Sequence, residues 1–259
     1  MEFSSIKNID RQSVPFDENK SILFLDIDGV LNPLPWERRW VGPDDVTSWW
    51  DPALNDPNNW VWDEVPIDPK KHFEVTRTFE YRNDMWAHLD DGYQKYLTET
   101  KGEEKRYKLV KVGVADEMLD GIRQLVSDFD LQIIYLTYWK DDALRNLEPD
   151  VNLGANAYLD WFAESSRGIA MKINALHEFT QESGFRQPYA FLDDEATENV
   201  VGIKKFFHVN EYLAKRDPEH KKLIRELNEI PRKFFHVDKH YGISRHELSE
   251  LRKFYSENL

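Results

Sequence analysis

Short runs of apolar residues alternate along the chain with longer segments of helical periodicity. Residues 22–25, 131–136 and 189–192 are mostly apolar, rich in β-favouring side chains and too short for helices, so they are predicted strands. From Asp116 onward, apolar residues recur at the spacing of one buried helical face, at Met118, Leu119, Ile122, Leu125, Val126 and Phe129. Alternating strands and helices are typical of a parallel sheet with helices on both faces, so the sequence predicts an α/β, Rossmann-like core.

Several further elements are predicted from local signals. Residues 108–112 are a predicted strand, 157–162 and 169–182 are predicted helices, and Ser244 with Glu247 forms a capping box that opens a terminal helix. The segment KKFFHVN at 204–210 nearly recurs as RKFFHVD at 232–238, and either copy has the pattern of the next core strand. The first twenty residues show no clear period, and we predict no element for them.

A long segment, residues 33–106, interrupts this pattern. It is too long for an ordinary loop in a compact domain, so it is a predicted inserted module, with the core formed by 1–32 and 107–259. The insertion contains seven of the nine tryptophans of the chain. These rings either form the interior of a small module or provide an aromatic platform on which a base or sugar stacks. Within it, 72–81 is a predicted strand and 85–97 a predicted helix.

Composition narrows the possible chemistry. The chain has no cysteine, which excludes thiol catalysis, thiolate metal sites and disulfides. The formal net charge of -14 argues against a broad basic surface for nucleic acid, although a metal ion and one lysine are enough to bind a small phosphate. The N-terminus has no leader pattern and no stretch has the apolar length of a membrane span, so we expect a soluble, cytoplasmic protein.

Acidic residues follow two of the predicted strands. Asp26 and Asp28 come after the first strand, which Gly29 ends, and Asp193 and Asp194 come after the strand at 189–192. Ligands of open α/β sheets bind at the carboxyl ends of the strands, and residues two apart on a strand share a face. The carboxylates of Asp26 and Asp28 are therefore expected to converge on one ion or one substrate.

The chain resembles the haloacid dehalogenase-like (HAD) superfamily at four stations in order. They are DIDGV at 26–30, an apolar strand ending in Thr137, Lys172 near the start of a helix, and FLDD at 191–194. The longer pattern of DIDGVLNP, T-x-W, FLDDE and a late GIS is similar to a bacterial group of HAD proteins related to domains of RNA-repair proteins. Within the superfamily an insertion between the first and second motifs is a cap over the active site, which implies that role for 33–106.

The resemblance implies a magnesium-dependent phosphohydrolase that works through an aspartyl-phosphate. Asp26 is the implied nucleophile and Asp28 the implied general acid and base, because the phosphatases of the superfamily have aspartate at both positions. Thr137 would bind the phosphoryl oxygens, and Lys172 would pair with the nucleophile and the phosphate. The implied Mg²⁺ ligands are the Asp26 carboxylate, the backbone carbonyl of Asp28, and Asp193 or Asp194, of which motif register favours Asp193.

Residues beside these motifs are the candidate contacts for a small phosphorylated substrate: Gly29, Asn32, Arg38, Arg39, Tyr138 and Trp139. Two other functions stay open. The RNA-repair resemblance and the aromatic insertion suggest a phosphatase for 3′ or 5′ nucleic-acid ends, against which the overall acidity counts. Alternatively, the chain keeps the HAD fold without catalysis and uses its tryptophan-rich insertion as a surface for a partner. Substrate identity and oligomeric state leave no pattern in the sequence.

Overall fold

The structure is a computed structural model, and it describes residues 6–7, 16–34, 36–43, 57–83, 108–159, 172, 175–176, 179–180, 185–194 and 229–259. The strands are β1 (Ile6–Lys7), β2 (Ile22–Leu25), β3 (Trp36–Trp40), β4 (Trp60–Glu64), β5 (Arg77–Asn83), β6 (Lys108–Val114), β7 (Gln132–Tyr135), β8 (Ala157–Leu159), β9 (Tyr189–Asp193) and β10 (Arg232–His236). The α-helices are α1 (Asp116–Phe129), α2 (Glu148–Val151) and α3 (Arg245–Asn258), with a 3-10 turn at Pro57–Asn59 and a π-helical turn at Ala143–Leu147.

The main sheet has the strand order β1-β8-β7-β2-β9-β10. All neighbouring strands in it are parallel except β1, which pairs antiparallel with β8 at the edge. The three apolar runs that the sequence identified first are therefore adjacent, with β2 between β7 and β9. This confirms the predicted parallel α/β sheet of Rossmann-like type.

Both faces of the sheet are buried. Leu23 and Leu25 of β2 pack in one apolar cluster with residues of α1 and α3, whereas Ile22 and Phe24 pack in a second cluster with the helical residue Phe179. Side chains alternate between the two faces of a strand, so one apolar run supplies both clusters. The predicted helical layers on both faces follow from this alternation.

The two long helices begin where their sequences predict. In α1, Asp116 and Glu117 lie in the first turn, where negative charge interacts favourably with the helix dipole, and the predicted apolar face is buried. At the start of α3 the Ser244 side chain accepts a hydrogen bond from the His246 N–H, and Glu247 accepts one from the Ser244 N–H at 2.8 Å. The predicted capping box is confirmed.

Some local predictions are corrected by the sheet. The helix predicted at 157–162 is wrong, because Ala157–Leu159 forms β8, whose backbone pairs with β7 and β1. Of the two repeated segments, the second contains β10, which pairs with β9, and the first lies outside the described residues. Residues 172, 175–176 and 179–180 are helical, as expected for the helix predicted at 169–182, and the helix predicted at 85–97 lies outside the described residues.

Two antiparallel hairpins involve the predicted insertion. β3 pairs with β4, and β5 pairs with β6 along its whole length, so the strand predicted at 72–81 is displaced to Arg77–Asn83. Phe73 is buried in the same apolar cluster as α1 and α3. The division at residues 33 and 106 and the role of the segment as a cap stay predictions.

Across the described part of the chain, no helix combines the length and the apolar character that a membrane span requires.

Candidate active site

Asp26 and Asp193 lie side by side at the carboxyl ends of neighbouring strands. Leu25 of β2 is opposite Leu192 of β9, and the Asp26 N–H donates to the Leu192 carbonyl at 3.1 Å, so the two acids that follow are adjacent. Both are buried, with exposed fractions of 5% for Asp26 and 0% for Asp193. Carboxylates are rarely buried without a partner. Their position therefore requires a compensating group.

Lys172 is that compensating group. Its Nζ donates to Asp26 Oδ2 at 2.5 Å and to Asp193 Oδ2 at 2.7 Å, and its side chain is only 1% exposed. Lys172 and Phe179 are both helical, and Phe179 packs on one face of the sheet. The lysine side chain reaches the two acids from that face. The sequence associated Lys172 with the nucleophile position, and the structure brings the two together across 146 residues of chain.

Asp26, Asp193 and Lys172 form a buried triad in which one ammonium faces two carboxylates. Burial and the neighbouring Asp193 charge raise the pKa of Asp26 to about 7, against the lowering effect of Lys172 and of the Ile27 N–H. Burial lowers the pKa of Lys172, but the two carboxylates outweigh burial and raise it above its ordinary value. Lys172 therefore keeps its proton. Further positive charge near Asp26 would stabilise the ionised form of its carboxyl group.

Asp194 adds a third carboxylate at the open side of the triad. Its side chain is half-buried and packs over Gly29, where an added Cβ would lie 2.6 Å from Asp194 Cγ. Gly29 has a φ of +74°, a conformation that glycine adopts without strain. The glycine after the acids therefore does two things: it turns the chain and it leaves room for the Asp194 carboxylate.

One carboxylate oxygen from each of Asp26, Asp193 and Asp194 lies within 4.8 Å of the others. Three carboxylates and one ammonium leave a formal charge of -2 in a largely buried group of side chains. Oxygen-only ligand sets of this kind suit hard divalent cations such as Mg²⁺. The residues present therefore fit the metal that the sequence predicted, and the charge of one divalent cation would balance theirs.

Asp28 lies beside this group and both of its carboxylate oxygens accept hydrogen bonds. Asn32 Nδ2 donates to Oδ1 at 3.0 Å, and the indole Nε1 of Trp139 donates to Oδ2 at 2.9 Å. Asn32 and Trp139 are 3% and 2% exposed. Both side chains donate to Asp28 from buried positions, and their expected contact with substrate stays a prediction.

The segment that follows β7 adds two more candidates. Thr137 is buried, and its Oγ1 accepts a hydrogen bond from the Trp139 N–H at 3.4 Å. Tyr138 is 53% exposed, and its ring lies 5.5 Å from the Nζ of Lys172, within the range of a cation–π contact. Tyr138 is thus an exposed aromatic ring next to the buried triad.

The structure brings most of the predicted site residues to one edge of the sheet. Arg38 and Arg39 are on β3, and their side chains lie outside the described part of the chain. Sequence reasoning missed Gly113, whose N–H donates to Asn32 Oδ1 at 2.9 Å. No sequence signal identifies it, because every residue except proline carries a backbone N–H.

Comparison of the chain with protein-family models, with curated proteins and with solved structures finds no match.

Proposed function

We propose that the protein is a Mg²⁺-dependent phosphomonoesterase of the HAD type, which transfers the phosphoryl group of a small substrate to Asp26 and then to water. The main support is the buried ammonium of Lys172 between Asp26 and Asp193, with Asp194 beside them. A single catalytic acid would need neither a buried lysine nor two further carboxylates beside it. A phosphoryl group bound near a divalent cation and an ammonium would have its negative charge neutralised as the transfer proceeds.

The contacts favour different roles for the two acids at the end of β9. Lys172 donates to one oxygen of Asp26 and to one oxygen of Asp193, but Asp193 has no exposed surface whereas Asp26 keeps a small exposed fraction, so we assign Asp193 to holding the ammonium in place. Asp194 is half-buried at the open side, over Gly29. We therefore assign the metal to the Asp26 carboxylate, the Asp28 backbone carbonyl and Asp194, which reverses the preference for Asp193 drawn from motif register.

In the first step a carboxylate oxygen of Asp26 attacks phosphorus, the bond from phosphorus to the substrate oxygen breaks, and Asp28 gives its proton to the leaving oxygen. In the second step water attacks phosphorus, Asp28 accepts its proton, and the bond to Asp26 breaks to release inorganic phosphate. Lys172 keeps its proton throughout and offsets the charge of the transferred group. Bound Mg²⁺ would supply further positive charge at the phosphoryl oxygens.

The exposed ring of Tyr138 next to Lys172 favours one variation on this function, an aromatic or nucleotide-like substrate. A base stacked on such a ring gains about 1 to 3 kcal/mol. A phosphorylated end of a nucleic acid would present the same base and phosphate on a longer chain. The net charge of -14 argues against this larger substrate. Phosphate release from 3′- and 5′-phosphorylated oligonucleotides, compared with release from mononucleotides, separates the two.

The test is phosphate release from aryl, alkyl and nucleotide phosphates by purified protein, with Mg²⁺ or with EDTA. We expect turnover only with Mg²⁺, and none in Asp26→Asn. Asp120→Asn is the matched control, because Asp120 is 73% exposed on α1 and the same chemical change there is expected to leave turnover unaltered. Rapid quenching and mass spectrometry should find one phosphoryl group on the peptide that contains Asp26.

A wild-type protein as inactive as Asp26→Asn across this panel would overturn the proposal and favour a non-catalytic binding protein. Turnover that survives in Asp26→Asn would also overturn it, because another residue or water would then be the nucleophile.

A further inference from the structure

Both carboxylate oxygens of Asp28 accept hydrogen bonds from buried side chains. Its Oδ1 accepts from Asn32 and its Oδ2 accepts from the Trp139 indole, so each oxygen has a donor on a different segment of the chain. An indole N–H donates but cannot accept, and the amide nitrogen of asparagine has the same limitation. Neither donor is therefore able to take a proton from Asp28. Both constrain the rotation of its carboxylate.

The two donors are themselves anchored by the β5–β6 hairpin. Asn32 Oδ1 accepts from the backbone N–H of Gly113 in β6, at 2.9 Å. The ring of Tyr81 in β5 meets the Trp139 ring edge-on, with centroids 6.1 Å apart. The Tyr81 hydroxyl in turn donates to Asp150 Oδ2 at 2.6 Å. A hairpin outside the main sheet therefore contacts both groups that bind Asp28.

We propose that Trp139 and Asn32 are positioning residues for Asp28, which hold its carboxylate by both oxygens so that the proton it transfers lies on a lone pair turned away from them. The proposal rests on the proposed function of Asp28 as general acid and base. Trp139 then acts through Asp28 and not by touching the substrate, in keeping with its buried ring. Correct placement of such a group contributes substantially to the rate of proton transfer.

The kinetic test uses the leaving group as the readout. Trp139→Phe keeps most of the ring and removes the N–H donor. An alkyl phosphate needs a proton on its leaving oxygen, whereas 4-nitrophenolate leaves readily without one. We expect kcat/KM for an alkyl phosphate to fall about ten- to a hundredfold, and kcat/KM for 4-nitrophenyl phosphate to stay within about threefold of wild type.

The ratio of these two values separates positioning from general damage to the pocket. Asn32→Ala should shift the ratio in the same direction, because it removes the other donor. Tyr158→Phe, on β8 two strands from β2, removes a ring's polar group away from the site and should keep the wild-type ratio. The proposal would be overturned if Trp139→Phe and Asn32→Ala both kept the wild-type ratio, whether because kcat/KM fell equally on the two substrates or because it did not fall at all.

A second measurement needs no turnover. In ¹H–¹⁵N spectra of the metal-free protein, the Trp139 indole signal is identified by its loss in Trp139→Phe. A hydrogen bond to a carboxylate should shift this signal downfield, and Asp28→Ala should move it back upfield. A signal unchanged by Asp28→Ala would overturn the contact itself. An inactive wild type with the indole shift intact would instead overturn the proposed function, and with it the catalytic meaning of the contact.

Discussion

Replacing Lys172 with methionine removes the only positive charge that the described structure places between Asp26 and Asp193, at nearly constant side-chain length. The side chains of Lys172, Asp26 and Asp193 are 1%, 7% and 0% exposed, so water cannot replace the ammonium without opening the core. Removal of one partner from a buried ion pair costs about 3 to 5 kcal/mol, because an uncompensated charge is left behind. Burial already raises the pKa of Asp26 to about 7, so this carboxyl can take up a proton when the ammonium is lost, which favours the lower part of that range.

The assay is urea unfolding of the metal-free protein at pH 7, with the midpoint and slope compared between variants. Lys71→Met is the matched control, because Lys71 is 74% exposed in its 3.7 Å pair with Asp68 and pairs of that kind contribute almost nothing. Asp193→Asn combined with Lys172→Met restores the balance of charge in the pocket. The double variant is therefore expected to be more stable than Lys172→Met alone.

A loss in Lys172→Met no larger than that in Lys71→Met would refute the reasoning, because it would mean that the ammonium is not held between buried acids. A double variant less stable than Lys172→Met would refute it in another way, since the acids would then not repel one another. Both results are independent of any enzymatic activity.

Three further predictions concern single contacts. Gly29→Ala places a Cβ 2.6 Å from Asp194 Cγ at a φ of +74°, so we expect a loss of about 1 to 3 kcal/mol in urea unfolding and weaker Mn²⁺ binding by calorimetry. Tyr255→Phe removes the buried hydroxyl that donates to the Ile22 carbonyl at 2.7 Å, and a loss of about 1 to 3 kcal/mol is expected; a change near zero would contradict the bond. Burial raises the pKa of Glu148, so the folded state binds its proton more tightly and stability should fall as pH rises above about 4.5, with a shallower fall in Glu148→Gln.

The order of acids and apolar strands was readable from the sequence because local chemistry determines it. A run such as residues 22–25 is too short for a helix and too apolar for the surface. Gly29 follows it closely and allows the backbone to turn there. The same reasoning found α1 and the capped start of α3, since amphipathic spacing and capping residues act within one helix. The parallel sheet follows from the alternation of these elements.

Elements whose conformation depends on distant partners were not readable. The tripeptide of β8 has no strong propensity, and it is a strand because β7 and β1 lie on either side of it. The two FFHV segments are almost identical, so their own chemistry does not distinguish them, and pairing with β9 is what makes 232–236 a strand. A short segment takes the conformation that satisfies its backbone groups in place.

The sequence by itself determined which residue types stand at the carboxyl ends of the strands, and so which chemistry the candidate site can offer. Tertiary structure alone decided which groups these residues contact. It set Asp193 against Lys172 and Asp194 over Gly29, and it gave Trp139 to Asp28 across 111 residues of chain. Distance, burial and hydrogen-bond partners are properties of the packed chain, since they depend on which elements meet and not on the identity of a residue's neighbours in sequence.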